Sequence, residues 1–298
     1  MNQFNSHLDP SIPAPPTESS RDKFERIVSL LGPPAARGDR FAIFNGDCID
    51  LMARMPSGCV DLSFTSPPYN IGKEYESILP LAGYLEWCAD WINELYRISR
   101  SDGAFALNVG YISIPERARS IPIPYLLWDR IPFFLQQEIV WNYGAGVAAR
   151  KALSPRNEKL LWYVKDPDKY CFNLDDIRDP NVAYPNQKKN GKLRCNTLGK
   201  NPSDVWQIAK VTSGKGRASK ERTPHPAQFP VDLCERVIKG FSSKDGLIID
   251  PFLGSGSSAE AAVKNDRFAI GFEIRKDYCK FAAERIHEAE SALEAKLI

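Results

Sequence analysis

Five consecutive residues, Thr65-Ser66-Pro67-Pro68-Tyr69, follow an apolar run, Val60-Asp61-Leu62-Ser63-Phe64, that reads as a buried strand. Two adjacent prolines have no backbone N–H and a fixed φ. The turn they make is therefore stiff and presents carbonyl acceptors outward, with a small hydroxyl on one side and an aromatic ring on the other. Such a tip carries no nucleophile of its own. Its chemistry suits the holding of a flat amine, whose hydrogens the oxygens accept.

A second group of residues lies far downstream. Leu247-Ile248-Ile249-Asp250 reads as a strand entering Pro251-Phe252-Leu253-Gly254-Ser255-Gly256-Ser257-Ser258, followed by the helical Ala259-Glu260-Ala261-Ala262-Val263. The next apolar strand, Phe268 to Phe272, delivers Glu273 roughly 20 residues past the glycines, the offset at which an acid reaches ribose hydroxyls in a nucleoside-binding βαβ unit. Gly254 and Gly256 would let the backbone approach a ligand, and Phe252 and Phe272 could flank an adenine. The pattern lacks the further glycine and the Lys-Ser/Thr of a phosphate loop, which argues against a phosphate grip.

Other elements must position these two groups. Residues 1–21 carry four prolines among polar residues and read as a disordered tail. The spacing predicts a helix from Asp22 to Leu31, stopped by Gly32-Pro33-Pro34, a strand at Phe41 to Phe44 and a short helix at Cys48 to Met55. A helix from Leu81 to Ile98 is expected to turn its aromatics into the core. Beyond it come a strand at Ala104 to Val109, a helix at Pro122 to Phe134 and a strand at Gln136 to Trp141. Glu138 to Asn142 and Lys159 to Val164 are expected to pair as a hairpin at the sheet edge. From Asp166 to Arg222 periodicity fades while Asn, Pro, Lys and Gly accumulate; so long a loop-rich segment in a compact domain is usually functional.

At 298 residues, 43% hydrophobic and 26% charged, the chain has room for one large α/β domain with an insertion. No apolar run approaches the roughly 20 residues that span a bilayer, and the polar N-terminus has no signal pattern, so a cytoplasmic protein without a membrane is expected. The seven cysteines form no Cys-x-x-Cys pair, which argues against disulfides and against a structural metal. None follows a proline, so a Pro-Cys nucleophile is missing. The net charge of +2 is unevenly spread. Between Asn186 and Arg222, Lys188, Lys189, Lys192, Arg194, Lys200, Lys210, Lys215, Arg217, Lys220 and Arg222 face Asp204 and Glu221, giving this segment +8 and the rest −6. A local cationic patch on an acidic body suits a polyanion, because neutralised phosphates release counterions.

In these phrases the chain resembles the amino-group DNA methyltransferases of type II restriction-modification systems, in the permuted, beta-class order that puts Pro-Pro-Tyr ahead of the cofactor motif. Asn45-Gly46-Asp47-Cys48 and Thr223-Pro224-His225-Pro226-Ala227-Gln228-Phe229-Pro230 extend the likeness over most of the chain. The resemblance implies a doubly wound, Rossmann-like α/β fold with a mixed seven-stranded sheet. Its implied parts are a catalytic portion at 22–165, a target recognition region at 166–222 and a cofactor portion of the same domain at 223–290. The implied cofactor is S-adenosyl-L-methionine (AdoMet), and the implied partner is double-stranded DNA. A cognate restriction endonuclease would be a functional partner, and the chain a monomer or weak dimer.

By the same resemblance Ser66, Pro67, Pro68 and Tyr69 are catalytic. Asp47, Thr65, His225, Asp250, Phe252, Gly254, Ser255, Gly256 and Glu273 would hold the cofactor, His225 by packing or capping. DNA contacts are expected from Arg156, Lys188, Lys189, Arg194, Lys215 and Arg217. In this family Asp or Asn at the position of Ser66 usually accompanies adenine N6, and Ser accompanies cytosine N4. Ser66 therefore points to N4-methylation of a flipped-out cytosine, in a chain similar to the enzymes that protect CCCGGG. Adenine-N6 transfer is the alternative enzyme reading, and a catalytically idle DNA-binding subunit the alternative of another class. A nucleotide-dependent dehydrogenase leaves Ser-Pro-Pro-Tyr unexplained.

Overall fold

The structure, a computed structural model, describes residues 18–295 except 75, 145–147 and 212–220. It opens with α1 (Ser20–Leu31), β1 (Ala36–Arg37), β2 (Phe41–Asn45), α2 (Cys48–Met52), β3 (Val60–Thr65), α3 (Leu81–Ile98) and β4 (Ser99–Val109). Then follow the hairpin β5 (Tyr111–Ile114) and β6 (Ala118–Pro122), α4 (Pro124–Leu127), β7 (Phe134–Asn142) and β8 (Asn157–Val164). A 3-10 turn at Leu174–Ile177, the hairpin β9 (Lys188–Lys189) and β10 (Lys192–Leu193), and β11 (Val205–Gln207) come next. The chain closes with α5 (Val231–Phe241), β12 (Leu247–Asp250), α6 (Ser257–Lys264), β13 (Phe268–Glu273) and α7 (Lys276–Glu294).

One mixed sheet organises these elements in the order β1-β2-β13-β12-β3-β4-β8-β7-β11. The five strands from β2 to β4 run parallel, β8 is antiparallel to β4 and β7, and β11 joins β7 in parallel. The last strands in the chain, β12 and β13, are thereby inserted between the early β2 and β3. β12 and β13 are buried throughout, as parallel strands covered on both faces must be, and so read as unbroken apolar runs.

Helices cover the two faces. On one, α1, α2 and α3 contribute Phe24, Met52, Trp91 and Leu95 to a core with Phe105 and Ile249. On the other, α5, α6 and α7 pack Val237, Ala262 and Ile286 against Phe64, Ile248 and Trp162. α3 is helical because Tyr84, Leu85, Cys88, Trp91, Ile92, Leu95 and Ile98 recur at three- and four-residue spacing, so one stripe is buried. α1 is capped by Ser19, whose hydroxyl accepts from the Asp22 amide at 3.1 Å.

Several expectations are corrected. Among the described residues nine strands form the sheet rather than seven, because two- and three-residue strands are added at its margins. The helix expected from Pro122 to Phe134 shrinks to the four residues of α4, since Ala118–Pro122 pairs as β6 and Phe134 already begins β7. The β7–β8 hairpin is not the edge, because β11 lies outside it. Helix α1 starts at Ser20, inside the expected tail; the rest of that tail, 1–17, lies outside the described residues. Helices α5 and α7 and the β5–β6 hairpin are found where no element was anticipated. Among the described residues no helix is long and apolar enough to cross a membrane.

Trp91 joins α3 to both the sheet and the Asp250 turn, meeting Phe105 edge-on at 6.1 Å and Phe252 at 5.2 Å. Trp91→Ala is expected to lower the free energy of unfolding by about 3–5 kcal/mol, measured by urea denaturation.

Candidate active site

Strands β3 and β12 are neighbours, and both parallel strands deliver their carboxyl ends to the same side of the sheet. The first ends in Thr65-Ser66-Pro67, the second in Asp250-Pro251-Phe252. In open parallel sheets a crevice outside the strand ends, where the strand order reverses, is the usual ligand site. A cavity of about 620 Å³ opens there, walled by residues from both motifs.

Asp250 locks the two strand ends together. Its Oδ1 accepts from Thr65 Oγ1 at 2.6 Å and from the Phe252 amide at 3.0 Å, while Oδ2 accepts from Ser258 Oγ. Burial pushes the carboxyl up to about 6, against the opposing effect of the Ser258, Thr65 and Phe252 donors.

The glycine turn is shaped for close approach. Gly254 and Gly256 have φ of +51° and +79°, the left-handed region. A Cβ on Gly254 would stand 2.9 Å from His225 Nε2, and one on Gly256 would stand 2.9 Å from Ala282 Cβ. The Gly254 amide donates to Glu273 Oε2 at 2.9 Å and the Arg275 amide to Oε1 at 2.8 Å. Two backbone donors thus orient the Glu273 carboxylate on the cavity wall and leave it further lone pairs for a ligand's hydroxyls. Burial raises its pKa above the usual carboxylate range.

The Pro-Pro turn forms the opposite wall. Ser66 Oγ and Tyr69 Oη are 2.8 Å apart. Tyr84 Oη donates to the Pro68 carbonyl at 2.9 Å, which stiffens the turn. The Tyr69 ring lies against Gly110, where a Cβ would approach within 2.9 Å of Cε2. Burial, with the Glu158 charge, holds the Tyr69 phenol well above its usual range, so it stays protonated.

The segment Thr223 to Pro230 closes the cavity from the third side. Gln228 accepts from the Thr223 amide at 2.7 Å and donates to the Glu221 carbonyl at 2.7 Å. Arg285 anchors Glu221 at 3.1 Å and Ser257 Oγ at 2.8 Å, and also contacts Glu260. The Phe229 ring stacks on Phe64 with centroids 5.3 Å apart. His225 packs edge-on against Tyr278, its Nδ1 accepting from the Ala227 amide at 3.2 Å. Burial pushes this imidazole down to about 4, so it is neutral at pH 7.

Most residues expected in the site meet there: Asp47, Ser66, Pro67, Pro68, Tyr69, His225, Asp250, Phe252, Gly254, Ser255 and Glu273 all line the cavity. Asp47 also caps α2, accepting from the Ile49 amide at 2.8 Å. Thr65 and Gly256 stand behind the wall: the Thr65 hydroxyl is spent on Asp250, and Gly256 packs on α7. Phe252 and Phe272 both line the cavity; Phe272 also packs in the core, meeting Phe44 edge-on, while Phe252 rests on Trp87 and Trp91.

Residues that no motif marked complete the cavity. Glu158 and Lys210 form an ion pair of 2.6 Å within it, and Tyr143, Trp87 and Tyr278 line it. A signal was available for Trp87, one of four aromatics on α3; nothing in the sequence marked Glu158, which β8 brings beside Asn108. Trp141 is buried, lines the cavity with one edge, and donates its Nε1 to the Ile208 carbonyl.

The expected DNA contacts lie apart. Lys188, Lys189 and Arg194 are exposed on or beside the β9–β10 hairpin, turned by Asn190 and Gly191 at φ of +51° and +76°, a pair suited to a two-residue turn. Arg156 flanks the cavity between Pro155 and Asn157. Lys215 and Arg217 lie outside the described residues.

Fold and site together define an α/β protein with a ligand cavity between a Pro-Pro turn and a glycine turn at the ends of neighbouring parallel strands. A family model for DNA methylases, of the N6 and N4 kind, matches residues 60–284, and the chain belongs to that family. Its cofactor is accordingly AdoMet, and its substrate DNA. The chain is 56% identical over 265 residues to the type II methyltransferase M.ScaI of Streptomyces caespitosus, covering 89% of this chain and 87% of that one. It is 36% identical to the type II methyltransferase M.BglII of Bacillus subtilis, over 80% of this chain and 67% of the relative. Among solved structures the PvuII DNA methyltransferase (cytosine-N4-specific) superposes with a TM-score of 0.66 at 19% identity, covering 87% of this chain and 94% of that one, a likeness of fold.

The raised Asp250 pKa sets a sign. An acid whose folded pKa exceeds its unfolded value adds stability below the unfolded value, and that stability is lost as pH rises through the folded one. Between pH 3 and 7 the stability of the wild type should therefore fall relative to Asp250→Asn, by about 3 kcal/mol for a shift from 3.8 to about 6, measured by urea denaturation across that range.

Proposed function

We propose that this chain is the modification enzyme of a restriction system, transferring methyl from AdoMet to the exocyclic N4 of a cytosine flipped out of duplex DNA. The observation that carries this reading is Ser66, at the head of the stiff Pro-Pro turn and facing the cavity beside Tyr69. Bound AdoMet supplies an electrophilic methyl carbon, so the difficulty lies in the acceptor. A base amine is a poor nucleophile because its lone pair is conjugated into the ring. Ser66 Oγ and the Pro67 carbonyl accept the amine hydrogens as nitrogen becomes tetrahedral, which localises the lone pair, and the Tyr69 ring covers the base. Extrusion of the base costs a few kcal/mol, offset by these contacts.

On the cofactor side, Glu273 receives the ribose hydroxyls, Phe252 flanks the adenine and Asp47 serves the adenine end. Asp250, Ser255 and His225 shape the methionine end. The glycine cradle and the oriented carboxylate of Glu273 support this assignment.

Residues 166–222 act as the target recognition region. Its exposed Lys188, Lys189, Lys192 and Arg194 take part in no ion pair among the described residues, which suits contact with phosphates. Arg156 stands where DNA would lie over the cavity, and Lys215 and Arg217 extend the cationic segment. The enzyme works in the cytoplasm beside a cognate endonuclease, and one-strand-at-a-time modification is compatible with a monomer. For the target, the 56% identity to M.ScaI supports testing the sequence that enzyme modifies before CCCGGG.

The test is transfer from labelled AdoMet into duplexes carrying the M.ScaI target, the M.BglII target and CCCGGG, followed by nucleoside chromatography. Label in N4-methylcytosine is expected. Label in N6-methyladenine would overturn the use made of Ser66, and AdoMet binding without label would favour an idle DNA binder. Ser66→Ala should slow transfer by about 10²-fold or more while AdoMet still binds. Replacing Lys188 and Lys189 by alanine should weaken binding to all sequences alike and reduce the salt-dependence slope of binding by about 2.

A further inference from the structure

An amine that gains a methyl group must lose a proton, and a cation left on a base held out of water is costly. A hydrogen-bonded line leads away from the point of release. Ser66 Oγ is 2.8 Å from Tyr69 Oη, and Tyr69 Oη is 3.3 Å from Glu158 Oε2. Asn108 Nδ2 binds both ends of the second step, donating to Tyr69 Oη at 2.9 Å and to Glu158 Oε2 at 2.7 Å. Lys210 Nζ donates to Glu158 Oε1 at 2.6 Å and lies 3.8 Å from the centre of the Tyr143 ring, so the line ends on an ion-paired carboxylate. Ser66 and Tyr69 belong to the motif after β3, but Asn108 comes from β4, Glu158 from β8 and Lys210 from the segment after β11.

We propose that Glu158 is the terminal acceptor of the amine proton, reached through Ser66 and Tyr69, and that Asn108 and Lys210 hold it in place. The proposal rests on the reading of the site as an amine methyltransferase. The amine lone pair forms the N–C bond to the methyl as the S–C bond breaks, its electron pair remaining on sulfur. The nitrogen, now positive, releases one proton to Ser66 Oγ. The Ser66 proton passes to Tyr69 Oη, and the Tyr69 proton to Glu158, which becomes a neutral acid. The methylated amine is left neutral, and Glu158 returns the proton to solvent when product leaves. Glu158 touches no reacting atom; it is a positioning residue that sets the direction of proton flow.

Glu158→Gln preserves the shape and an oxygen acceptor for Asn108, but cannot take up the proton. Single-turnover methylation by E158Q, E158D, Y69F and the E158Q/Y69F double variant tests the relay, with AdoMet affinity by calorimetry and thermal denaturation measured on each. E158Q is expected to be about 10²-fold slower, with AdoMet affinity and melting temperature unchanged. E158D should recover part of the rate, and the double variant should be no slower than the slower single, as for residues acting in one chain. The relay is overturned if E158Q matches the wild type, if the two single losses multiply, or if E158Q loses AdoMet binding or stability along with rate. A wild type that methylates no base amine would instead sink the underlying reading.

Discussion

The carboxylate of Asp250 is the contact on which the site depends. It binds the ends of two strands that lie 185 residues apart in the chain, through Thr65 Oγ1, and binds the start of α6 through Ser258. Taking a carboxylate out of water is costly unless donors surround it, and here the Phe252 amide completes the set. The hydroxyl that satisfies it belongs to the residue immediately before Ser66. The spacing between the Pro-Pro turn and the glycine turn is thus set by the Thr65–Asp250 hydrogen bond between neighbouring strand ends rather than by loop length.

Around this lock, rigidity comes from residues that cannot be exchanged freely. Prolines stiffen one wall and left-handed glycines bring the other close to His225 and Ala282. The third wall is held by Gln228 and by the Arg285 cluster behind it. A preformed cavity of this kind spends little binding energy on ordering the protein, leaving more for the geometry of transfer.

Residues 166–222 are stitched to the same framework. Asn173 Nδ2 donates to the carbonyls of Lys239 on α5 and of Ser242 just past its end, and Asp179 and Lys200 bridge the base of the excursion that carries the β9–β10 hairpin. β11 then adds to the sheet beside β7, and Lys210, three residues on, enters the cavity. One segment therefore supplies both an exposed cationic hairpin and a half-buried cation that lines the cavity beside Glu158.

The sequence by itself determined whatever depends on neighbours along the chain. The apolar runs of β3, β12 and β13, the stripe of α3, the Pro-Pro turn and the glycine turn are all set by local periodicity and by backbone restrictions. The offset to Glu273 was legible for the same reason. Periodicity misled at Pro122 to Phe134, where only Pro124–Leu127 is helical, the two end residues belong to β6 and β7, and the rest is turn. Only the tertiary structure decided which distant groups meet: Thr65 with Asp250, and Glu158 with Tyr69 and Lys210. The register of β8 on β4, pairing Asn108 with Leu160, places Glu158 just beyond that contact, within reach of Asn108 and Tyr69. A glutamate in the sequence shows no trace of that register, because pairing between strands is fixed by the packing of the whole sheet and not by the residues next to it.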